Sequence, residues 1–170
     1  MVENLSYREA ERDDFKEICK LPQDAEELFY MFPKAKYPLS LSQLVSAVKN
    51  RSDSTVILHN DEIVGFANFY EVDSNKYCSI GNVIVNSNFR NKGIGEFLIK
   101  TMEHIGIGKY NVSEIHISCF NTNIKGILLY KKLGYKPYDI EKRFYQNNNL
   151  FVLIKMKRIV KSEKEIISLR

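Results

Sequence analysis

The sequence predicts one mixed α/β domain, in which strands are antiparallel in the middle of the chain and connected by helices later. Two patterns support this: short β-branched and aromatic runs separated by hairpin signals, and amphipathic segments with helical spacing. The chain has 170 residues, of which 44% are hydrophobic and 27% charged, which suits one domain with a sizeable core. This composition excludes an intrinsically disordered chain and a collagen-like repeat.

The first fifty residues are predicted to hold one strand and three helices. A short strand covers residues 5–8, and a helix over 13–21 ends at Pro22. A second helix covers residues 24–32. Ser40 or Ser42 then suits the cap of a third helix, whose apolar stripe ends near residue 50.

The middle of the chain is a meander of three strands. The strands at residues 55–59 and 62–72 flank Asn60 and Asp61, which form a strong hairpin signal. A third strand follows at residues 77–85. The meander therefore contributes the antiparallel part of the sheet.

The rest of the chain alternates helices and strands. A helix that begins at Gly93 is predicted to run to about His104, because Gly106 and Gly108 follow it. A later helix ends at Gly134. The other predicted elements, in chain order, are a strand at 114–120, a helix at 124–133, and strands at about 135–145 and 150–156.

Charge is divided unevenly along the chain, although no linker or repeat interrupts it. Residues 1–85 carry 9 basic and 14 acidic side chains, a net charge of −5, whereas residues 86–170 carry 16 and 7, a net charge of +9. The basic half favours an anionic ligand, but it contains no aromatic-interleaved basic run of the kind that binds nucleic acid. We expect residues 1–158 to form one domain and residues 159–170 a charged tail.

The cysteines indicate neither disulfides nor a metal site. Cys19, Cys78 and Cys119 are odd in number and widely spaced, so reduced thiols are expected. A spacing of three within a strand puts Cys119 and His116 on opposite faces, which excludes a catalytic dyad. Without a signal peptide or an apolar run of roughly 18 residues, the protein is expected to be cytoplasmic, with no membrane partner.

One loop combines two glycines with basic side chains at the start of a helix. Gly93 and Gly95 follow a buried strand, and Arg90 and Lys92 lie beside them. Free N–H groups at a helix N-terminus bind anions, so the loop can cradle a diphosphate. A dinucleotide fingerprint would need a third glycine at Leu98, and the P-loop signature is absent; a plain turn before a core helix is the alternative.

A second motif lies downstream. Asn123, Gly126 and Tyr130 follow a strand at fixed spacing, and Gly134-Tyr135 closes the helix. With Arg90-x-x-Gly93-x-Gly95, this pattern resembles the GNAT N-acetyltransferase superfamily over nearly the whole chain. The resemblance implies a mostly antiparallel sheet of about seven strands with about four helices, splayed between strands 4 and 5.

The resemblance also implies acetyl-CoA as co-substrate and a role for each matching residue. The Val85 amide would stabilise the oxyanion, and the Tyr130 phenol would protonate the departing thiolate. The remaining contacts would be Val83 and Ile84 to the pantetheine arm, the amides of Asn91, Lys92, Gly93, Ile94, Gly95 and Glu96 to the pyrophosphate with Arg90 flanking, Asn123 to the arm, and Lys125 and Lys132 to the adenosine phosphates.

The base that deprotonates the amine is unassigned. Some relatives place a glutamate on the fourth strand, but residues 77–82 contain no carboxylate. Candidates are a water held by Ser79 or Asn82, a carboxylate at Glu71 or Asp73, and His116, which shares a strand face with Glu114 and Ser118.

The acceptor is a small-molecule or protein amine. The N-terminal helices offer acidic and aromatic side chains that could hold a cation, or else form a solvated helix face: Asp24, Glu26, Glu27, Phe29, Tyr30, Phe32 and Tyr37. An alternative function is a non-catalytic acyl-CoA sensor or assembly module, and a DNA-binding module ranks third. Relatives are commonly dimers, so a homodimer is possible.

Overall fold

A computed structural model describes residues 4–145 and 149–160. Its centre is a seven-stranded sheet in the order β1-β2-β3-β4-β5-β7-β6. The strands are β1 (Leu5–Glu9), β2 (Ser52–His59), β3 (Glu62–Asp73), β4 (Tyr77–Val85), β5 (Glu114–Phe120), β6 (Lys136–Tyr145) and β7 (Asn149–Ile159). This confirms the predicted mixed α/β fold.

Strand pairing is antiparallel throughout, except that β4 and β5 run parallel. Their pairing register covers only Tyr77–Ile80 of β4 and Glu114–Ile117 of β5. Beyond those rungs β4 continues to Val85 alongside β3, so the two parallel strands separate toward their carboxyl ends. This confirms the predicted splay between strands 4 and 5.

In the part of the chain that the structure describes, five helices cover the two faces of the sheet: α1 (Phe15–Ile18), α2 (Ala25–Met31), α3 (Leu41–Val48), α4 (Ile94–Tyr110) and α5 (Ile124–Lys132). Leu28 of α2 and Leu44 of α3 pack with Phe66 in one apolar cluster, and Leu98 of α4 packs with Phe69 in another. Phe66 and Phe69 both belong to β3, which therefore separates the two cores.

The N-terminal helices begin where predicted, but the first is short. Asp24 caps α2 by accepting the Glu27 N–H at 2.8 Å, and Ser40 rather than Ser42 caps α3. The helix predicted over 13–21 is a 3₁₀ turn followed by α1. The N–H groups of Lys20 and Leu21 bond three residues back, so the chain has already tightened before Pro22.

The prediction that Gly106 and Gly108 end α4 is wrong. The helix continues to Tyr110 and ends at Asn111, a left-handed residue with φ 53°. Gly106 is buried, and a Cβ there would lie 2.9 Å from Ile115 Cδ1. Gly106 therefore allows α4 to pack closely on β5, and it does not end the helix.

The last strand is longer than predicted. β7 reaches Ile159 rather than residue 156, and the N–H of buried Val160 donates to Ser113 C=O at 2.8 Å. Buried Glu103 of α4 accepts from Tyr135 and Arg158, which ties this end of the sheet to the helix. Residues 161–170 of the predicted tail and Asn147-Asn148 of the predicted turn lie outside the described residues.

Candidate active site

Val85 lies at the open end of β4 with its peptide groups turned into the splay. Gly65 faces Val85, and the Asn86 N–H donates to Val64 C=O at 2.9 Å. In an antiparallel ladder this makes Gly65 and Val85 a non-hydrogen-bonded pair, so the N–H and C=O of Val85 point away from β3. The strand thereby presents a backbone donor on the side where β5 has diverged.

The turn between β4 and α4 exposes the first amides of the helix. Gly93 occupies the N-cap with φ 89°, and Asn91 is also left-handed with φ 59°. A Cβ on Gly95 would lie 3.1 Å from Leu129 Cδ2, so the glycine allows α4 and α5 to approach closely. The structure thus combines backbone donors with the absence of obstructing side chains.

The charged side chains around this turn already have partners. Arg90 donates Nε to Val85 C=O at 3.1 Å and Nη1 to Glu27, and Lys92 Nζ donates to Asn88 C=O at 3.0 Å. Two lysines, Lys100 and Lys132, each donate to the Glu96 carboxylate at 2.8 Å. These hydrogen bonds hold the pKa of Glu96 low, at about 2.

Asn123 and Tyr130 lie on the other wall of the splay. Asn123 Oδ1 caps α5 by accepting the Gly126 N–H at 3.0 Å, and a Cβ on Gly126 would lie 2.8 Å from Asn123 Nδ2. The cap therefore explains the glycine at this motif position. Tyr130 is 5% exposed, and burial raises the pKa of its phenol, so the group stays protonated.

A cavity of about 570 Å³ runs from the splay to the opposite face of the sheet. Val83, Asn123 and Tyr130 line its splay end, while Tyr77 and His116 line its other end. Loop residues after α2 and side chains of β6 and β7 complete the wall. The cavity thus reaches Asn123 and Tyr130 of the second motif, but no residue of the turn at 90–96 lines it. We call its other end, around Tyr77 and His116, the second chamber; the whole cavity has the volume of a small-molecule site.

Two of the proposed water-holding side chains lie on the cavity wall. Ser79 is buried, with Oγ 3.5 Å from Glu71 Oε2, and the other Glu71 oxygen accepts from Tyr77 at 2.8 Å. Asn82 donates Nδ2 to Met31 C=O at 2.8 Å, while its buried Oδ1 has no partner among the described residues. Asp73 instead binds Lys76, away from the cavity.

His116 occupies a fixed position on β5, beside the last paired rungs of β4 and β5. Its Nε2 lies 2.8 Å from Glu114 Oε2, and its ring stacks on Tyr77 with centroids 4.4 Å apart and planes at 5°. Lys157 donates to Glu114 as well, and together these contacts lower the pKa of that carboxyl. The shared face predicted for His116 and Glu114 is confirmed.

A family model described as the acetyltransferase (GNAT) family matches residues 9–135. The chain belongs to the GNAT acetyltransferase family. Its members transfer acyl groups, so this GNAT chain is an acyltransferase. No curated protein sequence matches the chain.

Solved structures show the same fold at low sequence identity. The spermidine N-acetyltransferase of Vibrio cholerae, determined with CoA and spermine, matches with a TM-score of 0.76 and 18% identity over 92% of this chain and 95% of that chain. An N-acetyltransferase from Staphylococcus aureus Mu50 gives 0.73 and 16% over 94% and 100%. The ribosomal-protein-alanine N-acetyltransferase of Brucella melitensis gives 0.72 and 19% over 91% and 99%.

The acidic residues predicted to hold a cationic acceptor do not line the cavity of this GNAT chain. Asp24 caps α2, Glu26 accepts from Tyr30, and Glu27 pairs with Arg90. Of the aromatic residues, Tyr30 and Phe32 line the cavity, Phe29 packs on Phe120, and Tyr37 donates to Gln23 C=O. These carboxylates therefore stabilise the helix and the turn.

Sequence patterns did not single out the side chains that surround the second chamber. Tyr70, Tyr77, Tyr138 and Arg51 all line the cavity. The three tyrosines lie on predicted strands, where propensity alone explains an aromatic residue, and Arg51 precedes a strand. Only the sheet order, which brings β2, β6 and β7 around β4 and β5, identifies them as neighbours.

Two further properties concern membranes and metals. Within residues 4–145 and 149–160, no helix is long and apolar enough to cross a membrane. The same residues contain no group of three or more histidine, cysteine or acidic side chains arranged to hold a metal ion.

Proposed function

We propose that this GNAT chain is an acetyl-CoA-dependent N-acetyltransferase in which a primary amine attacks the acetyl group directly within a ternary complex. One observation carries the proposal: a single cavity passes through the β4–β5 splay and has Tyr130 at one end and His116 at the other. A non-catalytic acyl-CoA sensor would need only the end at Tyr130. The second chamber at His116 offers a place for a second substrate, which supports acyl transfer.

The residues at the splay fit acetyl-CoA. Gly93 adopts the left-handed turn, Gly95 lets α5 approach the start of α4, and the first N–H groups of α4 have no partner within the helix. Bound there, the co-substrate supplies an activated acetyl thioester. The residues proposed to hold it are Val83, Ile84, Val85, Arg90, Asn91, Lys92, Gly93, Ile94, Gly95, Glu96, Asn123, Lys125, Tyr130 and Lys132.

Two groups of the chain are proposed to act on the reacting atoms. The Val85 N–H, which is directed away from β3, donates to the carbonyl oxygen as negative charge develops there. The Tyr130 phenol, which burial keeps protonated, donates its O–H to the departing sulfur.

His116 is proposed as the base that takes the proton of the amine. Glu114 fixes one ring nitrogen, so the other nitrogen is available as acceptor, and stacking on Tyr77 fixes the ring plane. Asn82 is less suited, because its amide already donates to Met31, and Ser79 is directed at Glu71. The alternative use of Ser79 and Asn82 is to hold a water that relays the proton of the amine.

The test follows release of free thiol when pure protein is mixed with acetyl-CoA and a panel of primary amines. His116→Gln is expected to lower kcat by about 100-fold or more, because general base catalysis contributes about that much. The dissociation constant for acetyl-CoA should not change. His104→Gln, an exposed histidine of α4, is the matched control.

Three outcomes would contradict parts of the proposal. Tight acetyl-CoA binding with no turnover of any amine would favour the sensor. Full activity of His116→Gln would remove His116 as the base. Acetyl-CoA binding that is indifferent to Gly95→Asp would show that the turn before α4 does not hold the co-substrate.

A further inference from the structure

Arg51 lies on the wall of the second chamber, far along the sheet from the proposed CoA turn. It joins α3 to β2, and its N–H donates to Val48 C=O at 3.0 Å. The half-buried guanidinium lies 5.5 Å from the centroid of the Tyr70 ring. The adjacent pair Ser52–Phe69 places this neighbourhood four residues along β3 from Gly65, which faces Val85.

The charge of Arg51 is not neutralised within the described residues. Among those residues, no carboxylate lies within ion-pair distance of the Arg51 guanidinium. Asp53, two positions along the chain, pairs with Lys109 instead. Burial lowers the pKa of Arg51, and Tyr70 alone acts in the opposite direction. A half-buried guanidinium without a counter-ion is costly unless a ligand supplies one.

The carboxylates that face the cavity are already engaged. Glu71 accepts from Tyr77 and lies beside Ser79, while Glu141 pairs with Arg143 and Lys155. Lys34 adds a further positive charge at the exposed rim. The cavity is therefore lined by more basic than acidic side chains, an excess that repels a polycation and attracts an anion: Lys34, Arg51, Arg143 and Lys155 against Glu71 and Glu141.

We propose that the acceptor of this transferase is an amine that also carries an anionic group, a carboxylate or a phosphate, and that Arg51 binds this group. The inference rests on the proposed function, since it names the acceptor class of the same cavity. Guanidinium groups bind both anions through paired hydrogen bonds, so the chemistry is common to amino acids and phosphorylated amines.

The sheet places Arg51 and His116 at a suitable separation. Three interstrand spacings, about 14 Å, lie between the backbones of β2 and β5 at this level. Both side chains line the same cavity. A small molecule with an amine and an anion a few bonds apart therefore reaches both.

The first experiment compares matched acceptors with the unaltered protein, acetyl-CoA and thiol detection. Each amino acid is paired with its primary amide, and O-phosphoethanolamine with ethanolamine, so that only the anion differs. We expect kcat/KM to be about 10-fold or more higher for the anionic member, because a hydrogen bond to a charged group contributes that much. The responding pair identifies carboxylate or phosphate.

The second experiment uses variants. Arg51→Gln is expected to raise KM for the anionic acceptor by about 10- to 100-fold and to change KM for its neutral partner less than about twofold. Arg51→Lys should recover part of the loss, because lysine keeps the charge but not the paired geometry. Lys49→Gln, an exposed lysine two residues away, is the matched control and should behave like the unaltered protein.

The outcomes separate the two proposals. Equal or faster turnover of the amides, ethanolamine or spermidine would overturn the anionic acceptor and leave the transferase intact. An equal loss for both members of a pair in Arg51→Gln would also overturn it, since Arg51 would then act on folding or position. No thiol release with any amine would overturn the proposed function itself.

Discussion

Tyr130 shows how burial gives a common residue a specific chemical character. An exposed phenol would be partly ionised at alkaline pH, whereas desolvation beside Cys119 raises the pKa of Tyr130 and keeps its proton in place. The same burial raises the pKa of the Cys119 thiol to about 12, so that thiol stays protonated and is a poor nucleophile. Both groups are therefore protonated at neutral pH, and the phenol has an O–H to donate, which is a stronger hydrogen-bond donor than a thiol.

Tyr130→Phe removes the proton donor and retains the ring. We expect kcat to fall by about 100-fold, while the dissociation constant for acetyl-CoA stays within about twofold, because the lost bond forms only as the sulfur departs. Stopped-flow thiol release and a binding titration measure the two quantities. Tyr7→Phe, on the exposed face of β1, is the control, and equal kcat for both variants would exclude Tyr130 as the donor.

At the scale of elements, α4 shows why glycine alone is a poor predictor of a helix end. Gly106 and Gly108 are both inside the helix, but they differ in surroundings. A Cβ on Gly106 would meet Ile115 Cδ1 at 2.9 Å, whereas a Cβ on Gly108 would meet nothing within 4 Å. The first glycine is required by packing, and the second only lowers helix stability.

These surroundings predict opposite effects of the same substitution. Gly108→Ala should raise the free energy of unfolding by about 0.5–1 kcal/mol, because it reduces the freedom of the unfolded chain without a clash. Gly106→Ala should lower it by about 1 kcal/mol or more, because the fully buried Ile115 must move. Urea unfolding monitored by circular dichroism measures both, and stabilisation by Gly106→Ala would contradict the packing account.

At the scale of the whole molecule, two ion pairs among the described residues join the acidic and basic halves of the chain, Asp53–Lys109 and Glu27–Arg90. Glu27 of α2 pairs with Arg90, which also donates to Val85 C=O at the splay. The hydrogen bond from Arg90 is the largest cause that lowers the pKa of Glu27. The N-terminal helices are thereby attached to the turn that is proposed to hold the co-substrate.

The pair makes stability depend on pH in a defined direction. The pKa of Glu27 is lowered in the folded state, so ionised Glu27 raises the free energy of unfolding. This stabilisation is fully present above the ordinary carboxyl pKa of about 4.3 and is lost as pH falls through the lowered value. Glu27→Gln should therefore cost about 1–2 kcal/mol at pH 7 and progressively less below about pH 4. Unfolding in urea across that range measures the difference.

The exposed pair Glu17–Lys20 provides the comparison, since Glu17→Gln should cost less than about 0.5 kcal/mol at any pH. A cost for Glu27→Gln that does not change between pH 7 and pH 3 would show that the loss comes from packing rather than charge.

The sequence by itself determined the family resemblance, the order of the elements and the two motifs around Gly93 and Tyr130. These features depend on local spacing, which turns, caps and amphipathic periods record directly. Local signals failed where a residue's role depends on a distant neighbour. Gly106 packs on Ile115, and Glu27 pairs with Arg90, 63 positions away.

Only the tertiary structure decided the candidate base and the character of the acceptor chamber. The contact with Glu114 and the stacking on Tyr77 distinguish His116 from the other candidates, Ser79 and Asn82. Arg51 lines the cavity because the sheet order places β2 beside β3, which is in turn paired with β4. The physical reason is that charge balance and desolvation are properties of a three-dimensional neighbourhood, which the linear order of residues does not specify.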